Sequence, residues 1–167
     1  MKIHTQALAE FPVPRDILFP FATSPEMLSK VIEAQGPIPG VERSWVVGGG
    51  ETKQGTLRRV ILTDGTPLDE EVLEFEVPRK HSYRVKGYRG VFASLVKSGE
   101  AQWIFSPIDI GTRIVWRYEY ELTSPVALPV ALPFVKVAFQ RYMQAALTRL
   151  QHEAQVLHKQ PTDATSA

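Results

Sequence analysis

One segment near the end of the chain, from Ser124 to Lys159, limits what the rest can be. Its apolar residues Phe139, Met143, Ala146, Leu147, Leu150, Ala154 and Leu157 recur at steps of three and four, which stacks them on one face of a helix. Lys136, Gln140, Gln144, Thr148, Gln151 and Gln155 fall largely elsewhere, so the helix also has a wet face. Pro133 suits a first helical turn, where its missing N–H costs nothing, and the helix proper is expected to begin near it. The lead-in from Ser124 to Pro133 is apolar and broken by prolines, and it is expected to be a separate object. A helix this long needs a broad apolar surface to lie on.

The chain ahead of it supplies one in the form of strands. Ile3, Ala7, Ala9 and Phe11 alternate with His4, Gln6, Leu8 and Glu10, a first strand that Pro12 and Pro14 end. Pro14 to Ala22 reads as a short helix. Ser24-Pro25-Glu26 opens a second, which Gly36-Pro-Ile-Pro-Gly40 closes. From Val41 the period changes to two. Strands are expected over 42–47, 55–63, 69–77, 82–88, 95–105 and 113–122, linked by turns such as Asp64-Gly65. Gly48-Gly49-Gly50 reads as a turn, because no Gly-Lys-Ser/Thr and no opening helix follow to make it a phosphate cradle. Seven strands with hairpin-length links predict an antiparallel meander in an α+β domain spanning 1–159, with a frayed polar tail at 160–167.

Composition narrows the class of partner. The chain has 167 residues, enough for a real core, and a formal net charge of +1, which gives no reason to expect nucleic acid. The basic run from Arg79 to Arg89 is balanced by Glu70, Glu71, Glu74 and Glu76, and alternation makes Arg84 and Lys86 an outward strand face. With no cysteine there is no thiolate chemistry, and His4, His81, His152 and His158 have no metal-ligand spacing, so no metal or cofactor is expected. His152 and His158 read as solvated groups near a helix end. The N-terminus lacks an apolar signal region, and Val126 to Val135 is too short and proline-rich to cross a bilayer. A cytoplasmic protein without a transmembrane segment is the expectation.

The succession of elements, together with Gly55-Thr-Leu-Arg58, Asp64-Gly65, Glu71-Val-Leu, Tyr83-Arg-Val, Trp103-Ile-Phe-Ser-Pro107, Gly111-Thr-Arg-Ile-Val-Trp116 and Tyr118-Glu-Tyr120, resembles the START/Bet v1-like (SRPBCC) superfamily, in its polyketide cyclase/dehydrase-like branch. The resemblance covers almost the whole chain, from about Lys2 to Leu157. It implies a helix-grip fold, in which a curved seven-stranded antiparallel sheet wraps a long C-terminal helix and two short helices join the first and second strands. It also implies an apolar cavity for lipids, polyketides or similar hydrophobic molecules. Such proteins are divided between enzymes and pure binders.

Several residues could meet a ligand. On the last strand Ile114, Trp116, Tyr118, Tyr120 and Leu122 share one face and Arg113, Arg117, Glu119 and Glu121 the other. The aromatic row is either core packing or a cavity wall, where each tyrosine hydroxyl would need a partner. Ala101, Trp103 and Phe105 form the neighbouring apolar set. Arg58 shares a face with Val60 and Leu62, and Glu71 with Leu73, Phe75 and Val77. Those two charges either pair inside the cavity as a polar anchor for a ligand carbonyl or carboxylate, or sit at a solvated end of the sheet.

The expected lining is Trp103, Trp116, Tyr118, Tyr120, Tyr83, Phe139 and Met143 with Arg58 and Glu71, and Tyr88, Val91 and Phe92 at the mouth. Binding of a hydrophobic small molecule is the reading adopted. A cyclase or dehydratase in the same pocket is the first alternative, with Tyr118, Glu71, Arg58 and Gln102 as the candidate acid–base groups. The second is a non-catalytic protein that meets a membrane surface or another chain, including a second copy of itself, through 126–134.

Overall fold

A computed structural model of the chain describes residues 1–158. The tail expected at 160–167 lies outside them, and so does the side chain of His158. Seven strands form one sheet: β1 (Lys2–Phe11), β2 (Val41–Val46), β3 (Leu57–Leu62), β4 (Pro67–Glu76), β5 (Lys80–Lys86), β6 (Val96–Ile108) and β7 (Gly111–Leu122). Their order is β1-β7-β6-β5-β4-β3-β2, and every neighbouring pair is antiparallel. Hairpins connect β2 through β5 and β6 to β7. The first strand returns to pair with the last, so β1 and β2 are the two edges.

Two short helices, α1 (Arg15–Thr23) and α2 (Pro25–Val31), cross from β1 to β2. Each opens behind or on a proline, whose fixed φ is already helical. Leu18, Phe19, Met27, Leu28 and Val31 are their buried face. A third helix, α3 (Gly90–Leu95), lies between β5 and β6 where the sequence reads as a loop. None of its residues is fully buried, so no apolar stripe announces it.

The C-terminal helical path starts at Pro125, not near Pro133. A 3₁₀ turn (Pro125–Ala127) leads into α4 (Leu128–Pro133), a π-helical stretch (Phe134–Phe139) and α5 (Gln140–Ala154), with a last 3₁₀ turn at Gln155–His158. Pro125 and Pro129 sit at the opening positions of their turns, which prolines favour. Pro133 falls inside α4 and brings no N–H for the carbonyl four residues back, and the wider π turn follows directly. Ala127, Ala131, Val135 and Phe139, at steps of four, are all buried, so the lead-in extends the core stripe in small residues.

The helix lies across the inner face of the sheet and along the β1 edge. Gln144 and Gln151 donate from Nε2 to the carbonyls of Leu8 and Glu10 at 2.9 and 2.8 Å, and Gln140 to that of Gln6 at 3.3 Å. Glutamines assigned by pattern to the wet face thus occupy edge carbonyls that could otherwise template another strand. On β7 burial alternates without a break from Thr112 to Leu122, and on β6 from Gly99 to Phe105. Among the described residues no helix is long and apolar enough to cross a membrane.

Candidate ligand cavity

Between the inner face of the sheet and the helical layer the chain leaves a cavity of about 500 Å³. Strands β3 to β5 contribute Val60, Leu62, Leu68, Glu70, Tyr83 and Val85. Strand β7 contributes Trp116, Tyr118 and Tyr120, and the helical layer Val130, Phe134, Phe139 and Tyr142. Ile32, Ile38 and Val41 close it beside α2, while Tyr88, Arg89, Val91, Phe92 and Leu95 form the segment around α3. The alternation of β5 and β7 sends these side chains inward, because residues two apart share a face.

The ring packing is continuous. Tyr118 and Tyr120 lie 4.7 Å apart by ring centroid, and each meets Phe139 edge-on at about 5 Å. Phe92 touches Tyr88, Tyr120 and Phe134 at 5.0, 5.5 and 5.2 Å, which ties α3 to the C-terminal helix. The hydroxyls of Tyr88 and Tyr118 are 3.3 Å apart. Burial pushes the hydroxyls of Tyr83, Tyr88, Tyr118, Tyr120 and Tyr142 well above their ordinary pKa, and the Glu70 carboxylate adds to this at Tyr83 and Tyr88. All five are therefore neutral groups that donate and accept hydrogen bonds, and none serves as a base near neutral pH. The Trp116 indole N–H has no acceptor among the described residues.

The polar end differs from the expected anchor. Arg58 is buried and pairs with Glu70, its direct cross-strand partner, from Nη2 to Oε2 at 2.6 Å. Glu71 points to the outer, exposed face of β4 and does not meet Arg58. The error has a physical source. A register shift between Val72 and Glu74 breaks the alternation of β4, so that Leu68, Glu70 and Val72 face inward before it and Phe75 packs against Phe19 and His81 after it. Counting back by twos from Phe75 crosses the bulge and selects Glu71 instead of Glu70.

His81 completes this cluster. Its Nε2 lies 3.3 Å from Arg58 Nη2 and, facing a permanent donor, can only accept, which places the ring proton on Nδ1. Burial first and the Arg58 charge second push its pKa down to about 3, so the ring is neutral. Period two from the outward Arg84 and Lys86 already places Tyr83 and Val85 inward, and His81 shares their parity.

Of the expected lining, Tyr83, Trp116, Tyr118, Tyr120 and Phe139 border the cavity, as do Tyr88, Val91 and Phe92. Trp103 and Met143 are buried in the core but do not border it, and neither does Arg58. Gln102 faces the outer side of β6. Pattern reading missed Glu70, Tyr142, Leu68 and the Ile32–Val41 wall. A second depression, about 720 Å³, lies on the charged outer side and is bordered by His4, Glu74, Glu100, Arg117 and Glu119. Several of its charges are already matched, Glu119 by Lys2, Glu74 by Lys80, and Glu100 by Arg84.

The sequence from 2 to 155 matches the family of polyketide cyclase/dehydrase and lipid transport proteins. The chain belongs to that family. Its fold is shared with several solved structures. The Zhui aromatase/cyclase of Streptomyces sp. R1128 aligns at 13% identity and TM-score 0.70 over 96% of this chain and 98% of its own. A Thermus thermophilus protein aligns at 20% and 0.64 over 94% and 99%. The major latex-like protein 151 of Panax ginseng aligns at 12% and 0.64 over 92% and 97%. At such identities the likeness is one of fold. No curated protein matches the chain in sequence. Within the cyclase/dehydrase and lipid-transport family, this member follows the helix-grip plan of a seven-stranded antiparallel sheet and a long C-terminal helix.

Proposed function

We propose that this chain binds a hydrophobic small molecule in the cavity between its sheet and its C-terminal helical layer. The observation that carries this reading is the cavity itself: about 500 Å³ walled mainly by aromatic and aliphatic side chains, with few polar groups. That size lies within the range of small-molecule sites, roughly 300–1,000 Å³. The tyrosine hydroxyls and the Trp116 N–H supply the few directional contacts that orient a ligand. Membership in a family of cyclases, dehydrases and lipid carriers supports the same reading. Binding rather than turnover is favoured because the wall offers neutral hydroxyls, the Glu70 carboxylate already bonded to arginine, and Asp64 and Arg89 out at the β3–β4 turn and ahead of α3, with no imidazole on it among the described residues. Native mass spectrometry of protein purified from its own host tests this. A small-molecule mass that leaves on denaturation, and is absent from Val60→Trp, is expected; only unliganded protein, with that variant indistinguishable from wild type, contradicts it.

A second reading concerns the lead-in. Val126 is 85% exposed, Val130 60% and Val91 79%, and the last two also border the cavity. An apolar rim beside a hydrophobic cavity supports contact with a membrane surface from which a ligand is drawn. Val130→Asp should then lower sedimentation with lipid vesicles while leaving the fold unchanged. Equal sedimentation of the two proteins contradicts the membrane reading, and a change in self-association alone assigns the rim to a dimer.

A further inference from the structure

The inner end of the cavity has a carboxylate facing it, and the one cation that borders the cavity among the described residues, Arg89, stands away from it in the segment ahead of α3. Along β4 the wall runs from Thr66 at the turn through Leu68 to Glu70, and ends there, since Val72 is buried but not part of it. Arg58 would be the natural partner for an acidic ligand, but it does not border the cavity; its Nη groups are engaged within the protein, and its buried Nε–H is left without a partner among the described residues. Nη2 bonds Glu70 Oε2 at 2.6 Å and lies 3.3 Å from His81 Nε2, and Nη1 bonds the Thr23 carbonyl at 3.3 Å. The guanidinium sits over the ring of Tyr83, 5.5 Å from its centroid, and is not on the wall.

Glu70 is different. Its side chain keeps 8% of its exposure while bordering the cavity, and Oε1 has no hydrogen-bond donor among the described residues. A carboxylate has acceptor sites for several donors, and here only Oε2 is served by a charged one. The next charges, Asp64 and Arg89, border the cavity from the β3–β4 turn and the segment ahead of α3.

We propose that Glu70 selects the ligand: the inner end of the cavity takes a neutral, hydroxyl-bearing molecule that donates a hydrogen bond to Glu70, and it rejects carboxylate ligands such as fatty acids. This rests on the ligand-binding reading above and adds the chemistry of the bound group. A hydroxyl gives Glu70 the donor it lacks, and its oxygen accepts from a neighbouring tyrosine in return. A fatty acid fails in either orientation. With its carboxylate inward it would bring a second negative charge against Glu70, where no cation borders the cavity among the described residues. With its carboxylate at Arg89 it would lay a methyl end on Glu70 and strip that oxygen of solvent without replacing it. Sites built around an unserved polar group discriminate in this way against analogues that lack the matching group.

The test uses three fluorescent probes with one ring system: pyrene, 1-hydroxypyrene and pyrene-1-carboxylate, titrated into the full chain at neutral pH. The expected result is that 1-hydroxypyrene binds at least about tenfold more tightly than pyrene-1-carboxylate and more tightly than pyrene. In the double variant Arg58→Met with Glu70→Leu, which removes the buried pair together, the advantage of 1-hydroxypyrene over pyrene should vanish. Equal binding of pyrene and 1-hydroxypyrene to the wild-type chain overturns the role of Glu70 and leaves the cavity reading standing, as does tightest binding of the carboxylate. Retention of the hydroxyl preference in the double variant overturns it as well. If none of the three binds, the cavity reading falls and the selectivity with it. The wild-type comparison decides the matter even if the double variant does not fold.

Discussion

Arg58 and Glu70 stand directly opposite each other on β3 and β4 and meet at 2.6 Å, with side chains that retain only 2% and 8% of their exposure. Two charges removed from water this completely are held by each other, and neither is tolerable alone. Arg58→Met should therefore destabilise the fold by about 3–5 kcal/mol, because Glu70 is left buried without its cation. The double variant Arg58→Met with Glu70→Leu should recover most of that loss. Urea midpoints of the wild type and the two variants check this; a single variant as stable as the double one would show that the pair is not what holds this corner.

His81 makes stability depend on pH in a defined direction. Its pKa falls from about 6.5 in the unfolded chain to about 3 in the folded one. Between those values the unfolded state binds the extra proton, so stability rises with pH across the window and is lost as pH falls. From pH 7.5 to pH 5, above the range where carboxylates titrate, the loss should be about 2 kcal/mol. His81→Gln keeps an acceptor for Arg58 but cannot titrate, and its stability should be nearly flat over that interval. Parallel slopes for the two proteins in chemical denaturation would refute the assignment.

Gly99 on β6 leaves room for the hydroxyl pair at the cavity wall. A methyl at that position would lie 2.5 Å from the Tyr88 hydroxyl, 2.6 Å from Tyr118 Cε1 and 2.8 Å from the Tyr118 hydroxyl. Gly99→Ala should push both rings away from their 3.3 Å contact, at a cost of about 1–3 kcal/mol in stability. Pyrene affinity should fall with it. An alanine variant with unchanged melting temperature and affinity would mean that this part of the wall yields freely.

How much of this was legible depends on whether a local pattern survives in the chain. The face of β7 was readable because Ile114, Trp116, Tyr118, Tyr120 and Leu122 alternate with charges and no bulge interrupts them. The stripe from Phe139 to Ala154 was readable for the same reason at helical spacing. The start of the helical path was not, because its buried residues Ala127 and Ala131 are small and prolines stand between them. The Arg58 partner was misassigned because a one-residue slip near Leu73 inverts the face of everything before it, and period-two reasoning has no sign for a bulge. Helix α3 had no buried face to betray it. The cavity wall at Ile32, Ile38 and Val41 comes from a loop and a strand start, which alternation does not describe.

Filling the space between sheet and helix is the most direct trial of whether it is the binding site. Val60 is buried on β3 and borders the cavity, so Val60→Trp places an indole into the space a ligand would use. Calorimetric titration with pyrene should show a single saturable site in the wild-type chain and a loss of at least about tenfold in affinity in the folded Val60→Trp variant. Equal pyrene affinity in the two proteins, or no saturable binding to the wild-type chain, would contradict the account.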